Sequence, residues 1–331
     1  WGVINSSNIC LIQGSGVDLN VYKYTAEPKG KVIVTFVARL LVDKGIREFI
    51  EASRILYSQG SKVEFWVAGD LDEGNPDSIN YKEFQSWKFL PNVKVIGFHK
   101  NIADLYSKSN IACLPSYREG LPKSLVEAAA CGRAVITTDV PGCRDAIEAN
   151  ETGLLVPIKN AKALAEAINH LAKKTNLRKR MGVAGRVLAK KYFVIDKIVD
   201  EHMKVYKRLL NKKPRKNLKL LFVVNVDWFF LSHRLPIAIE AIRQGYEVHI
   251  ATAMTDKLKV LQDHGLVVHP LSLDRSRAGL WAIGKTIFQI FHVCKKIKPD
   301  VVHFVTIKPV LLGGMAARLA NSSNLLILVI V

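Results

Sequence analysis

The chain has 331 residues, 49% of them hydrophobic, and its 48 basic residues outnumber its 29 acidic ones to give a formal net charge of +19. This length allows roughly two domains with cores of their own, and no run approaches the ~18 apolar residues that a membrane-spanning helix needs. The five cysteines form neither a CxxC pair nor a metal-ligand spacing, so we expect reduced thiols in a cytoplasmic protein.

Alternating apolar runs and amphipathic stretches predict an α/β protein. Strands are expected first at residues 32–37, 64–68, 93–96, 110–114, 134–138 and 153–156, with helices at 46–58, 124–131, 162–173, 177–191 and 195–210. Further strands are expected at residues 218–226, 247–251, 267–270, 301–305 and 325–331. This order predicts two doubly wound Rossmann-type domains that face a cleft.

Two basic side chains follow the first predicted strand. Arg39 and Lys44 come directly after the buried run 32–37, and a helix begins at Ile46. In open α/β sheets, ligands bind at the carboxyl ends of the strands, where two cations suit a diphosphate. The alternative interpretation is that both are solvated loop charges.

Two glutamates, Glu119 and Glu127, flank a Gly-Leu-Pro that opens a predicted helix. The backbone N–H groups of Gly120 and Leu121 at this helix start suit a docked phosphate. Glu127 is buried if the helix packs on a sheet, and a buried carboxylate needs hydrogen-bond donors such as sugar or ribose hydroxyls. The alternative is that both glutamates are ordinary helix-start and surface charges.

Five segments follow one another in the first two thirds of the chain: GSGVDL, VARLLVDKG, VIGF, SYREGLPKSLVEAAACGRAVITTDVPGCRD and ETGLLVP. This order closely resembles the donor-binding half of the family 4 glycosyltransferases, which are retaining enzymes of the GT-B fold. The resemblance implies that Arg39 and Lys44 hold the donor diphosphate and that Glu127 holds the ribose. Glu119 would face the donor sugar or its phosphate.

The same resemblance implies further donor contacts and the chemistry. Gly97 and Phe98 would lie beside the base, and Gly120 and Leu121 beside the phosphates. Transfer would occur on the front face, with the leaving diphosphate stabilised by the two cations and helping to accept the proton of the acceptor. No carboxylate in the sequence is identifiable as a nucleophile. No DxD-type motif is placed to hold a metal, so we expect neither a metal nor a cofactor besides the nucleotide-sugar substrate.

The last third of the chain resembles the acceptor-side half of the same family, through LKLLFVVNV, DWFFLSHRLPIAIEAIRQGYEVHIAT and PDVVHFVTIKPVLLGGMAARLA. In the family pattern the acceptor half comes first, so the halves are reversed here and the acceptor half would be incomplete. We therefore predict a donor-binding domain at residues 1–211, a linker at 212–217 and a truncated acceptor-side domain at 218–331. The chain would be permuted, fused or fragmentary.

Two histidines of the last third are candidate site residues. His233 is expected to open the helix after the first strand of its domain, and His303 to lie at the end of its strand. With Arg234 and Lys308 they would ring one sheet edge and contact phosphate or acceptor, although neither is assigned as a base. The alternative is that each histidine is structural.

The high positive charge predicts an anionic partner, because a donor site uses few of the cations. Basic residues cluster at 173–180, 190–191 and above all 204–219. Nucleic acid is not expected, since no nucleic-acid module is recognisable and the basic runs lack interleaved aromatic residues. The favoured partner is the inner face of the plasma membrane, where each Lys or Arg gains about 1 kcal/mol near anionic lipid. The alternative is a solvated linker and solvated helix faces.

The residues and the resemblance together predict a retaining glycosyltransferase of the hexosyl or N-acetylhexosaminyl type. Its donor would be a nucleotide sugar, with UDP as the favoured nucleotide, and its acceptor a lipid-linked or cell-envelope polysaccharide. Two alternatives stay open. One is an inactive nucleotide-sugar-binding fragment, and the other is a sugar-nucleotide epimerase, which the pattern SYREGLPKSLVE disfavours.

Overall fold

The computed structural model describes residues 10–210, 218–272, 280–320 and 325–328. The chain divides into two compact units. The first unit is Gly16–Ile195, and the second unit is Asp196–Ile330 together with the described residues that precede Gly16. Each unit contains one parallel sheet.

Six parallel strands form the sheet of the first unit: β1 (Ile33–Val37), β2 (Glu64–Ala68), β3 (Val93–Gly97), β4 (Ile111–Leu114), β5 (Ala134–Thr138) and β6 (Gly153–Val156). They lie in the order β3-β2-β1-β4-β5-β6, so the direction of winding reverses between β1 and β4. Strands β4 and β5 are buried along their whole length, as expected of parallel strands covered on both faces.

Four helices lie between these strands: α1 (Ile46–Ser58), α2 (Tyr81–Ser86), α3 (Ile102–Ser107) and α4 (Lys123–Ala130). Two more follow β6: α5 (Ala161–Lys173) and α6 (Thr175–Tyr192). The buried residues Ile46, Phe49 and Ser53 of α1 are three and four residues apart, which places them on one helix face. A 3-10 turn, Val42–Lys44, joins β1 to α1. The core of the first unit lies between these helices and the sheet.

Five parallel strands form the sheet of the second unit: β7 (Lys219–Val226), β8 (Glu247–Ala253), β9 (Val267–Pro270), β10 (Val301–Val305) and β11 (Leu325–Leu328). Their order is β11-β10-β7-β8-β9, so the winding reverses between β7 and β10. The helices of this unit are α7 (Ile195–Leu209), α8 (Asp227–His233), α9 (Leu235–Arg243), α10 (Leu258–Asp263), α11 (Leu280–Ile297) and α12 (Gly314–Leu319). The predicted class, α/β with two doubly wound sheets, is confirmed.

Helix α7 packs on the second sheet. Its residue Tyr206 is fully buried, and the Tyr206 hydroxyl lies 2.7 Å from Nδ1 of His303 in β10. The compact units therefore divide at Ile195, before the predicted border at residue 211. The predicted linker 212–217 lies outside the described residues, and the predicted domain bounds stay a prediction.

Gly45 allows the turn after β1 to touch the segment after β4. Its backbone is left-handed, with φ of +71°, and an ideal Cβ on it would lie 2.0 Å from the carbonyl oxygen of Pro115. No side chain fits in that space. The turn that carries Lys44 is therefore fixed against the residue that follows β4.

We expect Gly45→Ala to lower the opening free energy of the first unit by at least about 3 kcal/mol, because the strain of a left-handed Ala adds to the conflict with Pro115. Hydrogen exchange of peptides from β1 and β4 measures this free energy. Gly60→Ala is the matched control, since Gly60 has φ of +72° but no atom within 4 Å of an added Cβ. Equal losses in the two variants would contradict a role for the close contact.

Candidate functional site

The carboxyl edge of the first sheet carries the candidate site. Ligands of doubly wound sheets bind where the winding reverses, which is between β1 and β4 here. Arg39 and Lys44 follow β1, and Glu119 follows β4. Residues from distant parts of the sequence thus meet at one sheet edge.

Arg39 pairs with an acidic side chain that follows the neighbouring strand β2. Its Nη1 lies 2.5 Å from Oδ2 of Asp72. The backbone N–H of Asp72 donates to Ser78 Oγ at 3.0 Å, which fixes the loop. The Arg39 side chain is 47% exposed, so the guanidinium is oriented by Asp72 while it stays accessible from solvent.

Lys44 and Glu119 form an enclosed ion pair. Lys44 Nζ lies 2.7 Å from Glu119 Oε1, and the two side chains are only 16% and 13% exposed. Such a pair is screened less by water than a surface pair. The cation predicted to hold phosphate and the carboxylate predicted to face the sugar are therefore in direct contact.

Backbone contacts hold the Glu119 loop in place. An ideal Cβ on Gly142, whose φ is +79°, would lie 2.0 Å from Gly120 O and 2.4 Å from Glu119 O. Ser116 Oγ donates to the carbonyl oxygen of Asp43 at 2.9 Å. The loops after β1, β4 and β5 thus touch one another with little side-chain material between them.

Glu127 lies in the second turn of α4 with its side chain 8% exposed. Lys123 Nζ is 3.6 Å from its Oε1. Burial raises the pKa of the Glu127 carboxyl above its ordinary value, while Lys123 and Tyr22 act in the opposite direction. The carboxylate therefore has polar partners but remains largely removed from water.

The other predicted donor contacts lie at the same strand ends. Gly97 ends β3 with φ of +74°, and its carbonyl oxygen accepts from the backbone N–H of Gly69 at 2.9 Å. Phe98, which follows, is 69% exposed. Gly120 and Leu121 lie between β4 and α4. The predicted contacts of these four residues with base and phosphates stay predictions.

The structure shows that the expected position of His303 is wrong. His303 is the middle residue of β10, opposite Phe222 in β7, and it is fully buried. Its side chain hydrogen-bonds Tyr206 and stacks on His202 at 5.6 Å between ring centres. A side chain inside a strand points to a face of the sheet, so His303 packs under α7 and not at the sheet edge.

The buried cluster of Tyr206, His202 and His303 disfavours the protonated form of its two histidines. Burial lowers the pKa of His202 to about 4. The pKa of His303 is held well below its ordinary value, by burial first and then by His202 and Arg234. The Nε2 atoms of both histidines are buried without a hydrogen-bond partner. Both rings are therefore neutral near pH 7.

His233 lies at the end of a helix, whereas it was expected at the start of one. It is the last residue of α8 and not the first residue of a helix. Its ring stacks on Phe229 at 4.1 Å between centres, and its Nδ1 lies 2.5 Å from Ser232 Oγ. Its proposed contact with phosphate or acceptor stays a prediction.

Sequence reasoning missed two residues: Asp72, which pairs with Arg39, and Tyr22, which acts to lower the pKa of Glu127. A signal for Asp72 was available, because an acidic run follows β2 and β2 is adjacent to β1 in this kind of sheet. No local pattern indicates Tyr22, which precedes β1 in irregular chain and affects Glu127 only through the tertiary fold.

The part of the chain that the structure describes contains no group of three or more His, Cys, Asp or Glu side chains placed to hold a metal ion. Among the same residues, no helix is long and apolar enough to cross a membrane. The expected independence from metals and cofactors and the expected attachment to an anionic membrane stay predictions.

Two family models match the chain. Residues 22–188 match the model described as Glycosyl transferases group 1. Residues 219–330 match the model described as Glycosyl transferase 4-like. The first match covers half of the chain, and it contains all the predicted donor-site residues.

Curated relatives and a solved structure are similar over part of the chain. The N,N'-diacetylbacillosaminyl-diphospho-undecaprenol alpha-1,3-N-acetylgalactosaminyltransferase of Campylobacter jejuni is 31% identical over 62% of this chain and 56% of that protein. The capsular polysaccharide biosynthesis glycosyltransferase CapM of Staphylococcus aureus is 31% identical over 59% and 50%. HepE from Anabaena, solved with UDP-glucose, is 21% identical with a TM-score of 0.51 over 58% and 56%. This last likeness supports the GT-B-like fold.

The chain spans about half the length of the curated relatives that it matches.

Acidification from pH 7.5 to 5.0 is expected to weaken the second unit by roughly 2 kcal/mol through His202, and His303 adds a loss in the same direction. The pKa of His202 is about 4 in the folded state against an ordinary value of 6.5. The unfolded state therefore takes up the proton first, and the stability present above the ordinary pKa is lost as the pH falls toward 4. Hydrogen exchange of β10 peptides at the two pH values measures the change.

The variant His202→Phe should show a smaller loss, since one of the two histidines is removed. A loss of unchanged size in the variant would contradict the assignment to the histidine pair.

Proposed function

Because this chain belongs to the group 1 glycosyl transferases, we propose that it transfers a hexosyl or N-acetylhexosaminyl group from a UDP-sugar to a lipid-linked or polysaccharide acceptor, with retention of configuration at the sugar. The observation that carries this proposal is the arrangement of Arg39, Lys44 and Glu119 at the point where the first sheet reverses its winding.

The two cations suit the leaving group. A departing nucleoside diphosphate gains negative charge in the transition state, and preorganised positive groups stabilise that charge without reorganisation. Lys44 is held by Glu119 and Arg39 by Asp72, so both cations are oriented before a donor arrives. The leaving diphosphate would then accept the proton of the acceptor hydroxyl on the same face of the sugar.

Glu127 suits the ribose of the donor. Its carboxylate is buried at the same helix whose start follows Glu119, and a buried carboxylate is stabilised by hydroxyl donors. Glu119 would share its carboxylate between Lys44 and the sugar. Glu127 would thus contact the ribose of the donor, and Glu119 would contact its sugar.

The acceptor proposal draws on the relatives. The Campylobacter protein is named for an acceptor linked to diphospho-undecaprenol, and CapM is named for capsular polysaccharide biosynthesis. The excess of basic residues suits an anionic lipid surface. We accordingly propose that the chain works at the inner face of the plasma membrane, as a peripheral protein.

The order of the two halves supports a further part of the proposal. The group 1 match precedes the 4-like match along this chain, which is the reverse of the order in the resemblance described above. We propose that the halves are permuted or fused relative to the family pattern.

A second candidate function is nucleotide-sugar binding without transfer, since all the proposed donor contacts lie within the first unit. Release of UDP from UDP-glucose in the presence of a bacterial lipid extract separates the two. UDP release that depends on the extract supports the transferase. Binding of UDP without release over a range of donors and lipids supports the binding protein.

The double variant Arg39→Ala, Lys44→Ala is expected to lose UDP binding by at least about 100-fold, because two charge-assisted contacts with the diphosphate disappear. Isothermal titration calorimetry with UDP measures this loss. Arg54→Ala is the matched control, since Arg54 also pairs with a carboxylate, Glu51, at 3.1 Å but lies on the exposed face of α1. Unchanged affinity in the double variant would contradict the donor site.

Glu127→Ala is expected to weaken UDP binding by about 1 to 3 kcal/mol through the loss of hydrogen bonds to the ribose. The same calorimetric titration measures it. Lys123→Ala serves as its comparison, because that change removes the neighbouring cation and keeps the carboxylate. An affinity for UDP that equals that of the parent chain would show that the ribose role is wrong.

A further inference from the structure

The chain after β10 is helical from residue 307 to residue 319, and α12 is the last part of this segment. Four large apolar side chains of the segment are between 59% and 74% exposed: Ile307, Leu311, Met315 and Leu319. Residues four apart lie on the same face of a helix. The four side chains therefore form one exposed row, which we call the apolar stripe.

The opposite face of this helical segment, which packs on the sheet, is made of small residues. Gly313, Ala316 and Ala317 are buried, and an ideal Cβ on Gly313 would lie 2.2 Å from Cε1 of Phe304 in β10. So close a contact leaves no space for the helix to turn its large side chains inward. A surface helix usually buries its large apolar residues and exposes polar ones, so the usual pattern is inverted here.

The part of the chain that carries the stripe is positively charged. Residues 280–320 contain one acidic residue, Asp300, and its carboxylate accepts the backbone N–H of Lys219 at 2.9 Å. The same residues contain six basic ones: Lys285, Lys295, Lys296, Lys298, Lys308 and Arg318. Two of the six, Lys308 and Arg318, are exposed on the helical segment itself. The stripe thus combines large apolar side chains with cations and no acidic side chain.

This combination suits one kind of partner. We propose that the apolar stripe is the surface by which the chain docks on an anionic lipid bilayer. Its side chains enter the boundary between headgroups and acyl chains, and Lys308 and Arg318 meet the lipid phosphates. The inference rests on the membrane attachment proposed above, and it assigns that attachment to the second unit and not to the basic runs of the sequence alone.

Sedimentation with vesicles of known composition, in the absence of a donor, tests the proposal. We expect the chain to bind vesicles that contain phosphatidylglycerol at least about tenfold more tightly than vesicles of phosphatidylcholine alone, because cations near an anionic surface add to the apolar contribution. Equal binding to both kinds of vesicle would overturn the proposal. Binding to neither would overturn the membrane attachment as well, whereas the donor site would stand, since UDP binding is measured without vesicles.

The double variant Leu311→Ser, Met315→Ser removes the middle of the stripe and keeps every cation. We expect at least about a tenfold loss of affinity for the anionic vesicles. UDP affinity should be unchanged, since the proposed donor contacts lie in the first unit, and hydrogen exchange of β10 peptides should show that the second unit stays folded. The matched control is Val183→Ser, Val187→Ser, a pair that is also four residues apart and is 49% and 59% exposed on the basic helix α6.

The control should bind the anionic vesicles as the parent chain does. If the stripe variant binds them as tightly as the parent, or if the control loses binding instead, the stripe is not the docking surface, although the attachment and the proposed transfer would stand. Analytical ultracentrifugation without vesicles examines the other occupant. A parent dimer that the stripe variant dissociates would show that a second copy of the chain covers the stripe, and this result would also overturn the proposal.

Discussion

The candidate site depends on close backbone packing at two glycines. At Gly45 and at Gly142, a Cβ would lie 2.0 Å from a carbonyl oxygen of a neighbouring loop. These contacts bring the loops after β1, β4 and β5 together at one sheet edge. Because the loops meet backbone to backbone, a lysine from the first and a glutamate from the second form an ion pair of 2.7 Å. The close approach of the loops at these two glycines therefore determines which charged side chains meet at the sheet edge.

This packing explains how the protein itself orders the charges of the edge. Lys44 and Glu119 are largely enclosed, and Arg39 is tied to Asp72. A ligand that enters meets side chains whose rotational freedom is already restricted, so less entropy is lost on binding. The arrangement has a cost, because an entering anion competes with the carboxylates for the same cations. Glu119 in particular is a partner of Lys44, and in the proposed function it would also face the donor sugar.

Much of the fold was predictable because buried parallel strands appear in the sequence as short apolar runs. Strands β2, β5, β6, β9 and β10 begin and end where the pattern placed them. The strand pattern also placed Arg39, Lys44 and Glu119 at one sheet edge, where the structure has them, although their roles stay predictions. What the pattern did not contain is which residues pair across the fold. Arg186, for example, joins the carbonyl oxygens of Tyr22 and Ala130, and no local spacing encodes that.

His303 shows a different limit. The predicted strand already contained it at the centre, yet a histidine near polar neighbours was interpreted as an edge residue. In the structure His303 is instead buried under α7, where it contacts Tyr206 and His202.

Helix α7 follows α6 after only two residues, yet it belongs to the second unit. A piece cut at residue 211 would therefore carry a helix without its sheet, with buried residues such as Val199 and Met203 turned to water. Such a piece would be prone to self-association. The other piece would present the bare face of β10 and its histidine. To produce the two units separately, the chain should be divided just before Ile195, so that α7 stays with the second sheet.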